Sequence, residues 1–454
     1  MDRRNGIALA VTAVSTAILL GAAVSNGYPL ILSDTGAYLW SGWMLRVPPD
    51  RPILYGLFLR GTALGVTLWM PIVVQALLTV GTVRFTLGRS VPAWITLAII
   101  GFLGLTTGLA PIAGLLIPDL FASLAVLTLA GLLAAPNLTR GQWLGAGAVL
   151  VLSLVVHMSH LLISAMLTLA AVAFTAAAPA AAARAGLTRG RSLRLAALVA
   201  ASALLVPTVH SLFGGGFVWT RYSHVFTMGR MAENGVLRAF LDEACPSRSY
   251  RLCDYRSMFP MSASRFLWEQ DSPFVLTGEA EANRAEYEEI IGATLRQRRF
   301  LAMQVGKGLE GAAQQLVRFN VPSFRRFGPG SPPYQSILRF LPNDLPRYQR
   351  ARQMERLSFG WINAVQPWGL LLSLIAIVAA LSIPALRRRV PGFRIGWAFA
   401  ILAGVVANAA VCGALSSPVN RYGARVVWII PLTAITLFAM MRYGSGEEAR
   451  TSPS

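Results

Sequence analysis

The sequence predicts an all-α integral membrane protein of about ten transmembrane helices, with both termini in the cytoplasm and a large, mostly helical extracytoplasmic insertion between spans seven and eight. Three observations carry this. The 454 residues are 55% hydrophobic and 13% charged, with a mean hydropathy of +0.55, values that exclude an ordinary soluble globule. Apolar runs of roughly 17–25 residues, the length that crosses a bilayer as a helix, recur along the chain. Arginines cluster beside alternate turns, as the positive-inside rule requires. The net charge is +20, and Lys307 is the only lysine. In a soluble protein that charge would point to nucleic acid. Here it sits in loops beside spans and sets orientation, so no nucleic-acid partner is expected.

In chain order, spans are expected at 6–24, 66–87, 92–110, 119–135, 142–158, 160–180, 195–213, 366–386, 395–415 and 424–441. Arg3 and Arg4 precede the first; Arg184, Arg189, Arg191 and Arg194 follow the sixth; Arg387, Arg388, Arg389 and Arg394 follow the eighth. An even number of spans puts all three clusters in the cytoplasm. The alternative for the first run is a signal peptide cut near Gly21 and Ala23. The many later spans weigh against it, and the next loop stays outside either way.

The chain therefore divides into a membrane domain 1–213 (spans one to seven, with a first outward loop 25–65), an extracytoplasmic domain 214–365, spans eight to ten over 366–441 and a cytoplasmic tail 442–454. The loop 25–65 is rich in Pro and aromatics. Residues 35–46 read as a short amphipathic helix in the interface, with Trp40 and Trp43 at headgroup depth. The segment 214–365 holds nearly all of the polar sequence, with a helix-favouring pattern over 279–318 and Pro and Gly breaks over 322–347. If that segment faces an oxidising compartment, Cys245 and Cys253 form a disulfide; otherwise they are free thiols. Cys412, inside an apolar run, reads as packing.

Polar residues gather at the outward ends of the spans. Asp34, Asp50, Arg51 and Tyr55 lie in the first loop, and Asp119 opens span four after Pro118. His157 and His160 bracket the turn between spans five and six, His210 ends span seven, and Asn420, Arg421, Tyr422 and Arg425 lie at the mouth of span ten. A carboxylate where a span opens into a loop is costly unless it has a partner or a task, which singles out Asp34. Bland readings stay open for each. Asp34 as a helix cap, Asp119 as a first-turn residue favoured by the helix dipole, Arg421 snorkelling to headgroups and the His-x-x-His pair as polar packing would all give the same pattern. That pair lacks a third ligand, so no metal site is expected from it.

The stretches "LSDTGAYLW" (32–40), "DRPILYGLF" (50–58) and "VNRYGARVVWIIPL" (419–432) resemble the GT-C glycosyltransferases, multi-spanning enzymes that use polyprenyl-phosphate-linked sugars. The resemblance covers about the first 180 residues and 416–432. It implies transfer from a polyprenyl-phosphate-linked donor to a lipid, glycan or protein acceptor. The nearly Lys-free, Arg-rich composition suits a GC-rich bacterium, so the site would face the periplasm from the cytoplasmic membrane. Asp34 would be the general base, with Asp119 a second catalytic carboxylate. Arg421, with Arg51 in reserve, would bind the departing phosphate. Asp50, His157, His160 and Tyr422 would be polar substrate contacts, and the faces of Tyr38, Trp40 and Tyr55 would suit a sugar or the prenyl chain. Two departures stand out: many members carry their large soluble domain at the C-terminus, and no second acidic residue adjoins Asp34. They leave open the donor and a divalent metal, Mg or Mn.

Two other classes compete. An O-antigen-type polymerase or ligase would place catalytic groups in the long insertion, with Arg221, His224 and Arg230 as candidates. A transporter or assembly scaffold would put polar groups and broken helices near the bilayer midplane. The mid-span segments here are mostly Leu, Ala, Val and Gly, and no inverted repeat is evident. Nucleotide-binding glycine patterns and a Gly-x-Ser-x-Gly elbow are absent from the sequence.

Overall fold

The computed structural model describes residues 3–88 and 90–443. Of the expected tail 442–454, residues 444–454 lie outside the described residues. Among the described residues there is no strand, only isolated bridges between Leu30 and Leu115 and between Phe324 and Leu357. Six helices are long and apolar enough to cross a membrane: Trp69–Leu87, Met158–Ala177, Arg189–Leu212, Gly360–Ser382, Gly392–Leu415 and Asn420–Tyr443. Four shorter apolar helices, Asn5–Leu19, Ala93–Thr106, Leu120–Ala134 and Arg140–Val155, pack among them.

Leu120–Ala134 is buried at every position, as a helix apolar all round must be, and the bundle is built about it. Gly360–Ser382 is the opposite case. It turns Trp368, Leu372, Ile375 and Val378 outward, a face for lipid. Local sequence sets the helix starts. Thr139 and Gln142 form a capping box before Arg140–Val155, Thr188 caps Arg189–Leu212 and His157 caps Met158–Ala177, each satisfying backbone N–H groups that the first turn leaves open.

The two ends of the bundle differ in chemistry. At one end arginines tie helix termini together: Arg394 donates to the Thr86 carbonyl at 2.6 Å, Arg191 to the Leu133 carbonyl at 2.9 Å, and Arg84 to that of Gly88. The other end carries the acidic residues of the first loop, and the polar insertion sits over it.

That insertion has two parts. A separate core of Met228, Leu237, Phe240, Leu252, Phe266, Tyr287 and Phe300 holds together the helices between Ser223 and Leu316, with Cys245 and Cys253 joined in a disulfide on its rim. From Val321 to Phe359 the chain instead packs into the core of the bundle. Buried Asp344 accepts from the Tyr28 hydroxyl at 3.0 Å and the Leu68 N–H at 2.8 Å. Buried Gln353 bonds both the N–H and the carbonyl of Ile31, at 3.1 and 2.6 Å. These two polar anchors sew the second part of the insertion to the loop that carries Asp34.

The short helix expected at 35–46 runs over Ser33–Met44 and is held by protein on two sides. It is clasped between Leu54–Ala63 and Pro332–Phe340. Trp43 stacks on Phe340 at 5.9 Å, and Trp40 faces a cleft. Small residues permit the clasp. A methyl at Gly42 would strike the Gly56 backbone, and one at Gly36 would strike Pro332. Three helices approach closely here because Gly36, Gly42 and Gly56 carry no Cβ at the crossings.

Candidate functional site

Beside the Ser33–Met44 helix lies a cleft of about 980 Å³. Its floor holds Asp34, Asp50 and Arg51. Both parts of the insertion build its walls: Phe226, Leu267 and Trp268 on one side, Leu338 and Phe340 on the other, with Arg325 and Arg339 among them. A mostly apolar wall with a few convergent charges is the usual make-up of a small-molecule site.

Behind the floor a chain of ion pairs runs into the bundle. Asp34 pairs with Arg51 at 3.3 Å and with Arg421 at 3.1 Å. Arg421 reaches Asp119 at 3.3 Å, and Arg425 meets the other oxygen of Asp119 at 3.2 Å. Arg51 also holds Asp50 at 2.6 Å. Three guanidiniums thus meet three carboxylates, and the network closes without net charge, the condition for keeping ions out of water. Arg425 is the deepest member. Its remaining N–H groups go to Asn408 Oδ1 at 2.9 and 3.1 Å and to Ser159 Oγ at 3.1 Å, which leaves it satisfied although fully buried.

Exposure decides which carboxylate can work on a ligand. The side chain of Asp34 is 31% exposed, against 4% for Asp119. Burial by itself pushes the Asp34 carboxyl up. The guanidiniums of Arg51 and Arg421 outweigh that and hold it below its ordinary value. Asp34 is therefore an anion at neutral pH, facing a cleft. It is not the helix cap: residue 32 occupies the N-cap position, and the Asp34 oxygens point to the two arginines.

Of the residues expected to touch substrate, Asp34, Asp50, Arg51 and Trp40 line the cleft. The others do not. Asp119 and Arg421 belong to the network behind it, Asp119 facing both Arg421 and Arg425. Tyr422 lies beneath Arg421 and Arg425, whose guanidinium carbons stand 5.3 and 5.1 Å from its ring centre. Tyr38 supports Arg51 in the same way at 5.0 Å. Tyr55 is fully buried, and its hydroxyl donates to Gln75 at 2.8 Å; it is a packing residue. His157 spends Nδ1 on its helix cap and His160 donates Nδ1–H to the Ser153 carbonyl at 2.8 Å. His210 is buried between the Ile53 N–H and the Val218 carbonyl.

None of the insertion residues of the alternative reading lines the cleft. His224 is buried and donates to the Ala280 carbonyl at 3.1 Å. Arg230 ties Glu233 to the Gly413 carbonyl, and Arg221 donates to that of Gly215 at 2.9 Å.

Sequence reading missed Arg325 and Arg339. Each lies over a neighbouring ring, Phe327 at 5.9 Å and Phe340 at 5.6 Å, and among the described residues neither has a carboxylate within ion-pair distance. Only the fold brings them to the Asp34 cleft, since they lie about 300 residues away along the chain. Among the described residues no three His, Cys, Asp or Glu side chains gather to hold a metal ion. Comparison with known proteins finds no matching family model, no matching curated protein and no matching solved structure.

Proposed function

We propose that this chain is an integral-membrane glycosyltransferase of the GT-C kind, moving a sugar from a polyprenyl-phosphate donor to an acceptor on the periplasmic face of a bacterial cytoplasmic membrane. One observation carries the reading: a partly exposed, ionised carboxylate, Asp34, opens onto an apolar-walled cleft that also holds two arginines without acidic partners among the described residues. An isoprenoid-linked phosphosugar needs those three things together, namely an apolar wall, a base and cations for phosphate.

The reaction assigns a role to each. The acceptor hydroxyl attacks the anomeric carbon as its proton passes to the Asp34 carboxylate. The bond from that carbon to the phosphate oxygen breaks, and the electron pair leaves with polyprenyl phosphate. Arg421, to which phosphate binding falls by resemblance, already faces two carboxylates, so its part is to orient Asp34 with Arg51. The departing phosphate goes to Arg325 and Arg339, whose planar forks suit phosphate oxygens.

The same proposal includes the topology. The four shorter apolar helices count as spans alongside the six longer ones, giving about ten. The arginine-rich end lies in the cytoplasm and the cleft outside it, which suits the Cys245–Cys253 disulfide.

The test uses the protein in lipid nanodiscs with a panel of polyprenyl-phosphate sugars, with and without Mg or Mn. Wild type is expected to release polyprenyl phosphate, and Asp34→Asn to lose that release by about 10²–10⁴-fold while remaining folded and monodisperse. Release undiminished in Asp34→Asn removes the base from the mechanism. Loss in His224→Ala instead, with Asp34→Asn active, favours the polymerase or ligase class.

A further inference from the structure

The helix Arg298–Leu316 leaves the core of the insertion and crosses the end of the candidate span Gly392–Leu415. The crossing is close: a methyl on Gly311 would overlap the Gly413 carbonyl, one on Gly413 would overlap that of Gly311, and Gly308 faces Ala414. Gln315 fastens the next turn, exchanging bonds with both the N–H and the carbonyl of Val419 at 2.9 and 3.0 Å.

The rest of the helix surface is split. Lys307, Glu310 and Gln314 form one polar strip, linked by an ion pair of 2.8 Å and a hydrogen bond of 3.2 Å. On the opposite face Leu301, Val305, Leu309 and Leu316 fall at positions that share one side of a helix. With Val317, each is between 41% and 74% exposed. None of the described residues covers this face.

We infer that this face is a membrane contact: the helix Arg298–Leu316 lies in the outer boundary of the bilayer with Leu301, Val305, Leu309 and Leu316 among lipid chains and Lys307 and Glu310 in water. Depth is the argument for lipid over another occupant. The glycine crossing falls at Gly413 and Ala414, one or two residues before the apolar span ends at Leu415, itself exposed. The apolar face is therefore held at the level where a span gives way to headgroups and continues its lipid-facing surface. Arg296 ends the preceding helix and Arg298 opens this one; neither has a carboxylate within ion-pair distance among the described residues, and both suit anionic headgroups. The contact moors the first part of the insertion to the bilayer, and with it the Phe226–Trp268 wall of the cleft. This inference rests on the chain being membrane-embedded and does not depend on the transferase reading.

The test is depth measurement on the full chain in nanodiscs of phosphatidylethanolamine and phosphatidylglycerol. Nitroxides are placed singly at Val305→Cys, Leu309→Cys, Lys307→Cys and Glu310→Cys. The native cysteines do not compete, two being disulfide-bonded and Cys412 buried. Collisions with oxygen, which concentrates in lipid, are compared with those of a water-soluble nickel chelate. The expected result is inversion along the helix: oxygen dominant at 305 and 309, chelate dominant at 307 and 310. Chelate access at all four positions would place the helix in water and overturn the inference. So would shielding of 305 and 309 from both reagents, which would mean that protein, such as a second copy of the chain, covers the face.

Discussion

Asp34 stays ionised because two guanidiniums face it, and that fixes how activity should depend on pH. A carboxyl with a lowered folded pKa remains charged below the ordinary aspartate value of about 3.9. The stabilisation it provides is present above the unfolded pKa and is lost as pH falls through the folded one. The acid limb of kcat/KM should therefore lie below the ordinary aspartate range, and in Arg51→Gln it should move upward; a pH profile of both proteins decides this. Asp119 behaves differently, since it neutralises the fully buried Arg425. Asp119→Ala strands that cation and should cost about 3–5 kcal/mol, read as a larger fall in melting temperature than that of Asp34→Asn, whose partners are partly exposed. Replacing Asp119 and Arg425 together with apolar residues should recover part of the loss. Arg325→Gln with Arg339→Gln should lower kcat as well as kcat/KM for the donor, since the leaving phosphate gains charge in the transition state, measured as initial rates over donor concentration.

At the scale of elements, the clasp around Ser33–Met44 shows why some of the chain is legible and some is not. The helix itself is readable from a short amphipathic pattern, within two residues of its observed ends. Its surroundings are not, because the sequence around Trp40 and Trp43 looks the same whether lipid or protein covers them. The partner, Pro332–Phe340, lies in a stretch whose prolines read only as breaks. Gly36 is the contact that couples them, so Gly36→Leu should push that helix away, lower stability by about 1–3 kcal/mol and weaken donor binding. Differential scanning calorimetry and a donor titration would both register it. Reduction of the Cys245–Cys253 disulfide should speed amide hydrogen exchange in the insertion core around Phe240 and Leu252 while leaving Leu120–Ala134 protected.

For the whole molecule, the prediction is one of sidedness. A cysteine in place of Glu288, exposed on the insertion, should react with an impermeant maleimide in intact cells. One in place of Arg388, at the arginine-rich end, should react only after permeabilisation. The opposite pattern would turn the cleft toward the cytoplasm and away from any periplasmic acceptor.

Short-range chemistry is legible from the chain alone. Apolar run length dictates helices fit for a membrane, two nearby cysteines mark a candidate covalent pair, and the cost of a carboxylate at a span end marks Asp34. Packing then assigns the roles. It seals Asp119 and Arg425 behind the floor, pairs Arg421 with Asp34 and Asp119, buries Tyr55 and His160, and carries Arg325 and Arg339 to the cleft. Residue type settles which groups are charged. Whether a charge faces a ligand or another charge depends on distances of a few ångströms between residues hundreds apart, and only the packed chain sets those.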